Sequence, residues 1–187
     1  MKTHPAVILL VAVLAAPIAA QQSPLTPDEI ALFKAAALGE LADAQRLVAE
    51  GVAVDVVESE GRTPLMVAAF DGHRHVVSFL LVEGADVDHR DGNGRTALMY
   101  ASSGPFVETV ELLLDAGAEV DAQGLLEGFT ALMTAAAEGQ LDVVQLLLDR
   151  GADPAIQDVD GDTALTFAVE NGHHEVVSLL QASIPDN

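Results

Sequence analysis

Two histidine pairs and one acidic stretch are the parts of this sequence that most suggest chemistry. The pairs are His73 with His75 and His173 with His174, whose imidazoles are of the kind that bind metals. The stretch "DVDGD", residues 158–162, alternates carboxylates as a calcium loop does, but its glycine is at the fourth position instead of the sixth. A metal site also needs three or four converging ligands. We therefore expect these histidines to lie in turns or at the surface, and we expect no metal and no cofactor.

No enzyme motif stands out elsewhere in the sequence. It contains no G-x-S-x-G, no phosphate-binding glycine string and no H-E-x-x-H. It has no cysteine, which excludes a thiol nucleophile and any disulfide. Neighbouring carboxylates carry little information in a chain with 29 acidic residues. We predict a protein without catalytic activity, and the alternative is a metal-dependent enzyme.

The element that must position these side chains is an internal repeat. Glycines that precede "TPL" or "TAL" recur at steps of 33, 34 and 33 residues, and they are Gly61, Gly94, Gly128 and Gly161. A leucine at the same step, Leu32, adds a unit at the front. A period near 33 indicates stacked supersecondary units that bury one continuous core. The five predicted units are 26–57, 58–90, 91–124, 125–157 and 158–183.

Each unit reads as two helices followed by a polar turn. In the second unit, Thr63 caps a helix whose first position is Pro64, and Gly72 ends that helix. The small side chains of Ala68 and Ala69 allow a neighbouring helix to approach closely. A second apolar stripe at helical spacing follows, and a glycine-bearing stretch of hairpin type then leads to the next unit.

The segments "GRTPLMVAAFDGHRHVVSFLLVEGADVD" and "GFTALMTAAAEGQLDVVQLLLDRGADP" resemble the ankyrin repeat. The resemblance implies a mainly α solenoid of about five helix-turn-helix units joined by β-hairpin loops. It also implies protein binding through the hairpin tips and the concave face of the first helices. One departure is that Met66, Met99, Met133 and Thr166 stand where the family has histidine. We expect methionine to fill that space by packing.

Both ends of the array carry polar residues where inner units are apolar. Lys34 and Asp43 replace apolar residues in the first unit, and Gln181 replaces leucine in the last. The stretch "TPDE", residues 26–29, is a capping box ahead of the first helix. Polar outer faces are what a finite solenoid requires. We therefore expect a complete five-unit domain that is a monomer.

The repeat leaves the loop tips and the ends of the first helices free to vary, and these positions are our candidates for a binding site. Phe70, Leu126 and Phe129 are apolar residues expected to face solvent, where they could anchor a partner. In the alternative reading, Leu126 and its neighbour Leu125 fold back into their loop, which is one residue longer than the others. The predicted partner-binding set is Phe70, Asp71, Arg62, Arg90, Asn93, Arg95, Leu126, Phe129, Glu138, Asp160 and Asp162. The three arginines could pair with adjacent acids or with an acidic group on the partner.

The charge of the chain limits its partners. It has 8 basic and 29 acidic residues and a formal net charge of −21. Such a surface repels phosphate backbones and anionic membranes, so we expect no nucleic acid partner and no membrane insertion of the mature chain. A protein partner with a basic patch would be attracted. The alternative is that the charge serves solubility alone.

The N-terminus has the pattern of a secretory signal peptide. Lys2 precedes eleven apolar residues, 6–16, and small residues lead to Ala20. We predict a signal peptide over 1–20, a short linker over 21–25 and the repeat domain over 26–183. An uncleaved anchor is the alternative. A cysteine-free exported chain fits the bacterial periplasm. The resemblance extends to periplasmic bacterial ankyrin-repeat proteins, some of which are associated with catalase-dependent peroxide defence, so it also implies an accessory role for such an enzyme.

Overall fold

The computed structural model describes residues 24–183, so the predicted signal peptide and residues 21–23 of the predicted linker lie outside the described part. Within it, ten helices follow one another as five pairs. The first helices are α1 (Pro27–Leu38), α3 (Pro64–Phe70), α5 (Ala97–Ala101), α7 (Ala131–Ala137) and α9 (Ala164–Glu170). The second helices are α2 (Leu41–Ala49), α4 (Arg74–Val82), α6 (Val107–Asp115), α8 (Leu141–Asp149) and α10 (His174–Ser183). The predicted mainly α repeat solenoid is confirmed. No helix in this part of the chain is both long and apolar enough to cross a bilayer.

A threonine begins each first helix, as the repeat predicts. The hydroxyl of Thr130 accepts a hydrogen bond from the backbone N–H of Met133 at 3.2 Å, and the equivalent threonines of α3, α5 and α9 do the same. Thr26 and Glu29 form the predicted capping box at α1, and the hydrogen bond that Glu29 accepts from the backbone of Thr26 lowers the pKa of this carboxyl. These caps satisfy N–H groups that the helix itself leaves unpaired.

The core runs through the stack between first and second helices. Ala68 and Ala69 are fully buried in α3, which packs against both α1 and α5. Met66, Met99 and Met133 are 1–3% exposed, so methionine fills the position of the absent histidine as expected. Thr166, in the last unit, instead completes a reciprocal cap with Thr163.

The turn between the helices differs in the third unit, where it contains Pro105. Helix α5 has only five residues, against seven in α3, α7 and α9. Phe106 occupies the position of the turn histidine, and its ring lies over Gly72, where a Cβ atom would collide with it. At the same position of the other units, His73, Gln140 and His173 each donate a hydrogen bond to a backbone carbonyl of the preceding unit. The ring of Phe106 replaces that hydrogen bond.

The loops ahead of α3, α5, α7 and α9, which we call the finger loops, are hydrogen-bonded turns. In the second of them, the N–H of Asp91 donates to the carbonyl of Arg95 at 3.1 Å. Neighbouring loops are joined by backbone bonds, for example from Gly92 N–H to Glu60 O at 2.9 Å and from Leu125 N–H to Asn93 O at 2.9 Å. The predicted β-hairpins are thus present as turns only, and no strand forms in residues 24–183.

The first end of the stack is more apolar than its polar replacements indicate. Lys34, Asp43 and Gln181 are exposed. Ile30 and Leu38 of α1 are also exposed, each at 55%. The first helix therefore presents a mixed surface.

Candidate functional site

A cavity lies along the first helices of the second to fifth units. Its volume is about 320 Å³, and we call it the central groove. Four aromatic rings, two methionines and several small residues line it together with two charged side chains. The lining residues are Phe70, Arg95, Met99, Tyr100, Ser103, Phe129, Met133, Thr134, Ala137, Glu138 and Phe167.

The aromatic residues of the central groove form two edge-to-face pairs. The ring centroids of Phe70 and Tyr100 are 6.1 Å apart with an interplanar angle of 88°. Those of Phe129 and Phe167 are 5.1 Å apart at 77°. This arrangement is a favourable one for aromatic rings, because the positive edge of one meets the negative face of the other.

The repeat explains why a cavity remains between these pairs. Tyr100, Thr134 and Phe167 occupy the same position of three consecutive units, with the small residue in the middle. A second set of equivalent positions holds Phe70 in the second unit and the smaller Ser103 and Ala137 in the next two units. Since neighbouring units stack in register, small side chains between large ones leave a depression.

Asp91 holds Tyr100 and the finger loop beside the central groove. Its carboxylate is only 5% exposed and accepts hydrogen bonds from Asn93 N–H at 2.9 Å, Arg95 N–H at 2.8 Å and the hydroxyl of Tyr100 at 2.7 Å. Burial and the hydrogen bond to Asp91 raise the pKa of Tyr100 to about 12. Tyr100 is therefore a neutral hydrogen-bond donor at physiological pH.

The three predicted arginines are paired within the chain. Arg62 bonds to Glu58 and lies 3.5 Å from Glu60, and the first of these contacts raises the pKa of the guanidinium. Arg90 donates to the carbonyl of Gln123 at 2.6 Å, and one of its nitrogens lies 3.6 Å from Glu119. Of the two readings offered by the sequence, the arrangement corresponds to pairing with adjacent acids.

Arg95 is the predicted arginine that lines the central groove. Its Nη2 atom is 3.6 Å from Oε2 of Glu127 in the next finger loop. The two side chains are 46% and 57% exposed, so this ion pair is screened by solvent and worth little to stability.

A second cavity of about 110 Å³ adjoins the groove at the long finger loop. Asn93, Arg95, Leu126 and Phe129 are among its lining residues. Leu126 is 65% exposed, so it does not fold back into the loop. Leu125 rests on Gly94 on one side yet remains 69% exposed. The two leucines thus form an apolar tip next to the groove.

The structure brings six of the eleven predicted residues together and leaves five apart. Those that line the two cavities are Phe70, Asn93, Arg95, Leu126, Phe129 and Glu138. Those that line neither are Arg62, Asp71, Arg90, Asp160 and Asp162. One expectation needs correction: Phe129 is half-buried, because its ring packs on Phe167 and against the core.

The sequence reasoning missed Tyr100 and Phe167, which supply half of the aromatic lining. Both stand four residues after the capping threonine of their unit. Three of the five units carry Lys34, Val67 or Thr134 there, so the position varies strongly between units. That variation was the signal that could have identified it as a surface position.

One histidine of each pair and the acidic stretch have structural partners, whereas His75 and His174 are exposed. Nε2–H of His73 donates to the carbonyl of Ala37 at 2.9 Å, and His173 makes the same bond to Ala137. These nitrogens are therefore engaged in joining neighbouring units. Asp158 accepts hydrogen bonds from Asp160 N–H and Asp162 N–H, which closes its finger loop. Among residues 24–183, no cluster of three or more potential metal ligands is present.

Comparison with known families identifies the class of protein that this fold and groove define. The family model described as "Ankyrin repeats (3 copies)" matches residues 32–124, 76–158 and 122–186. The chain therefore belongs to the ankyrin-repeat family. Ankyrin repeats generally mediate protein–protein interaction. No curated protein matches this chain.

Proposed function

We propose that the chain is a non-catalytic scaffold that binds a protein partner through the central groove and the adjacent finger loops. The observation that carries this proposal is the aromatic lining. Four rings from four consecutive units converge on one cavity at positions that the repeat leaves free. Tyrosine and phenylalanine side chains are enriched at protein interfaces relative to the rest of the surface.

The polar groups around the groove support a binding role over a catalytic one. Asp91 accepts hydrogen bonds from two backbone amides and a phenol, and Arg95 is paired with Glu127. Tyr100 has its pKa raised, so it is a poor general base near neutral pH. Asp91 holds its own finger loop and the ring of Tyr100 in place, and Arg95 contacts the next finger loop through Glu127.

The location of the protein is a separate part of the proposal. We infer export to the periplasm because Lys2, the apolar residues 6–16 and the small residues up to Ala20 form a signal-peptide pattern. Removal of residues 1–20 takes one lysine and no acid, which makes the mature chain still more acidic. Fractionation of the native cells followed by N-terminal sequencing tests this. The expected mature N-terminus is Gln21, and an intact Met1 in the cytosol would contradict it.

A binding experiment with matched variants tests the function. The full chain is used to capture proteins from its native compartment, and each captured protein is purified and titrated against the wild type. Phe70 is 52% exposed at the groove, and Val82 is 80% exposed on helix α4. We expect Phe70→Ala to raise the dissociation constant at least about fivefold, as loss of an interface anchor does. The control Val82→Ala removes an exposed apolar side chain elsewhere and should leave it unchanged. Equal effects of the two variants would place binding outside the groove.

A further inference from the structure

We propose that the central groove receives a lysine or arginine side chain from the partner. This inference rests on the proposed function and names the chemistry that the groove recognises. The occupant is one long basic side chain of a basic protein segment.

The aromatic lining can attract a cation. Phe70, Tyr100, Phe129 and Phe167 all line the same cavity. An ammonium or guanidinium group within about 6 Å of an aromatic ring is attracted to the negative charge of the ring face. The aliphatic stem of lysine or arginine can meanwhile pack against Met99 and other apolar lining atoms.

The charges around the groove favour a cation as well. Glu138 lines the cavity, is exposed and has no ion-pair partner among residues 24–183. Arg95, the one positive charge in the lining, has the carboxylate of Glu127 3.6 Å from its guanidinium. The chain as a whole carries a net charge of −21. An incoming cation therefore meets an excess of negative charge.

The volume of the cavity and the charge of Glu138 distinguish a basic from an apolar occupant. A cavity of about 320 Å³ is near the lower end of the range for ligand cavities, roughly 300–1,000 Å³, so it suits a single long side chain. An apolar side chain such as leucine would gain nothing from the exposed carboxylate of Glu138. A basic side chain pairs that carboxylate and contacts the rings at the same time.

The test uses small probes on the full chain, labelled with nitrogen-15 and observed by NMR. The probes are the N-acetyl, N-methylamide derivatives of arginine, citrulline, norleucine and glutamate. Citrulline has the shape of arginine without its charge. We expect the arginine derivative to bind roughly fivefold tighter than the citrulline derivative, with shifts of backbone amides concentrated at Tyr100, Thr134 and Glu138.

Matched variants identify the carboxylate responsible. We expect Glu138→Gln to weaken the arginine derivative by about twofold, as loss of an exposed ion pair does, and to leave the citrulline derivative unchanged. The control Glu83→Gln removes an exposed acid at the end of α4, outside the groove, and should change neither affinity. The preference for arginine should also fall as salt is added, because exposed charges are screened.

Three outcomes would overturn the inference in distinguishable ways. Equal binding of the arginine and citrulline derivatives would show a neutral apolar groove, which removes the cation and leaves the proposed binding function standing. Tighter binding of the glutamate derivative would show that Arg95 governs the site and that anions are preferred. No shift at the groove with any probe would overturn the inference as well, and the variant titrations with captured partners would then decide the proposed function independently.

Discussion

The hydrogen bonds of Asp91 beside the central groove can be tested directly, through the stability of the chain and the pKa of Tyr100. Asp91 accepts three hydrogen bonds while almost fully buried, and one of its donors is the hydroxyl of Tyr100. The substitution Asp91→Asn keeps the shape of the side chain and removes its charge. Hydrogen bonds to a charged group are stronger than those to a neutral one, so we expect the free energy of unfolding at pH 7 to fall by about 1–2 kcal/mol.

The same substitution should lower the pKa of Tyr100. In the wild type this pKa is raised from 10.0 to about 12, first by burial and then by the hydrogen bond and charge of Asp91. Loss of the carboxylate charge makes the phenolate less unfavourable, whereas the burial remains. We expect the pKa to fall by about one unit, equivalent to about 1.4 kcal/mol, and to stay above the value of a free tyrosine.

Absorbance titration measures this pKa without interference, because the chain has one tyrosine and no tryptophan. Rapid mixing to each pH records the phenolate before the chain unfolds. The matched control is Asp158→Asn, since Asp158 also accepts two backbone hydrogen bonds in a finger loop but has no phenol partner. It should leave the pKa of Tyr100 unchanged.

The raised pKa also predicts how stability depends on pH. The folded-state pKa of Tyr100 lies above the unfolded value near 10, so its contribution is fully present below pH 10 and is lost as the pH rises toward 12. Two units correspond to about 2.7 kcal/mol, and partial exposure reduces this to roughly half. Asp91→Asn should show a smaller loss over the same range. A wild-type phenol that titrates near pH 10 would refute the reasoning.

Three further predictions concern the repeat itself. Gly72→Ala should lower the free energy of unfolding by about 2–4 kcal/mol in urea, because φ is 70° and the new Cβ would collide with Phe106. Gly172→Ala, at φ 75° in open space, should cost only about 1 kcal/mol, so equal losses would contradict the packing of Phe106. Thr130→Ala should cost about 1 kcal/mol in the same assay by removing the cap of α7, and Thr130→Ser should restore most of it. Light scattering during size exclusion should give the mass of one chain, and a dimer would contradict the predicted monomer.

The sequence by itself determined the fold, because the features that specify it are local and repeated. A threonine followed by Pro64, a pair of alanines and Gly72 define one helix and its end within ten residues. Five copies at steps of 33 or 34 residues then imply stacking, since one copy cannot bury its apolar face alone. The packing of methionine in place of the family's histidine was also predicted from the sequence.

Only the tertiary structure decided which of the variable residues share a site. Phe70 meets Tyr100, and Phe129 meets Phe167, across unit boundaries. Whether a ring at such a boundary is exposed depends on the size of its neighbour in the next unit. Phe129, expected to be free, is therefore half-buried.

The sequence also does not determine which acid each arginine pairs with. Arg95 reaches Glu127 in the next finger loop, although the two are 32 positions apart in the sequence. The repeat brings such positions close, but several acids lie within reach of each long side chain. The choice among them depends on the three-dimensional geometry of adjacent loops, which no local pattern contains.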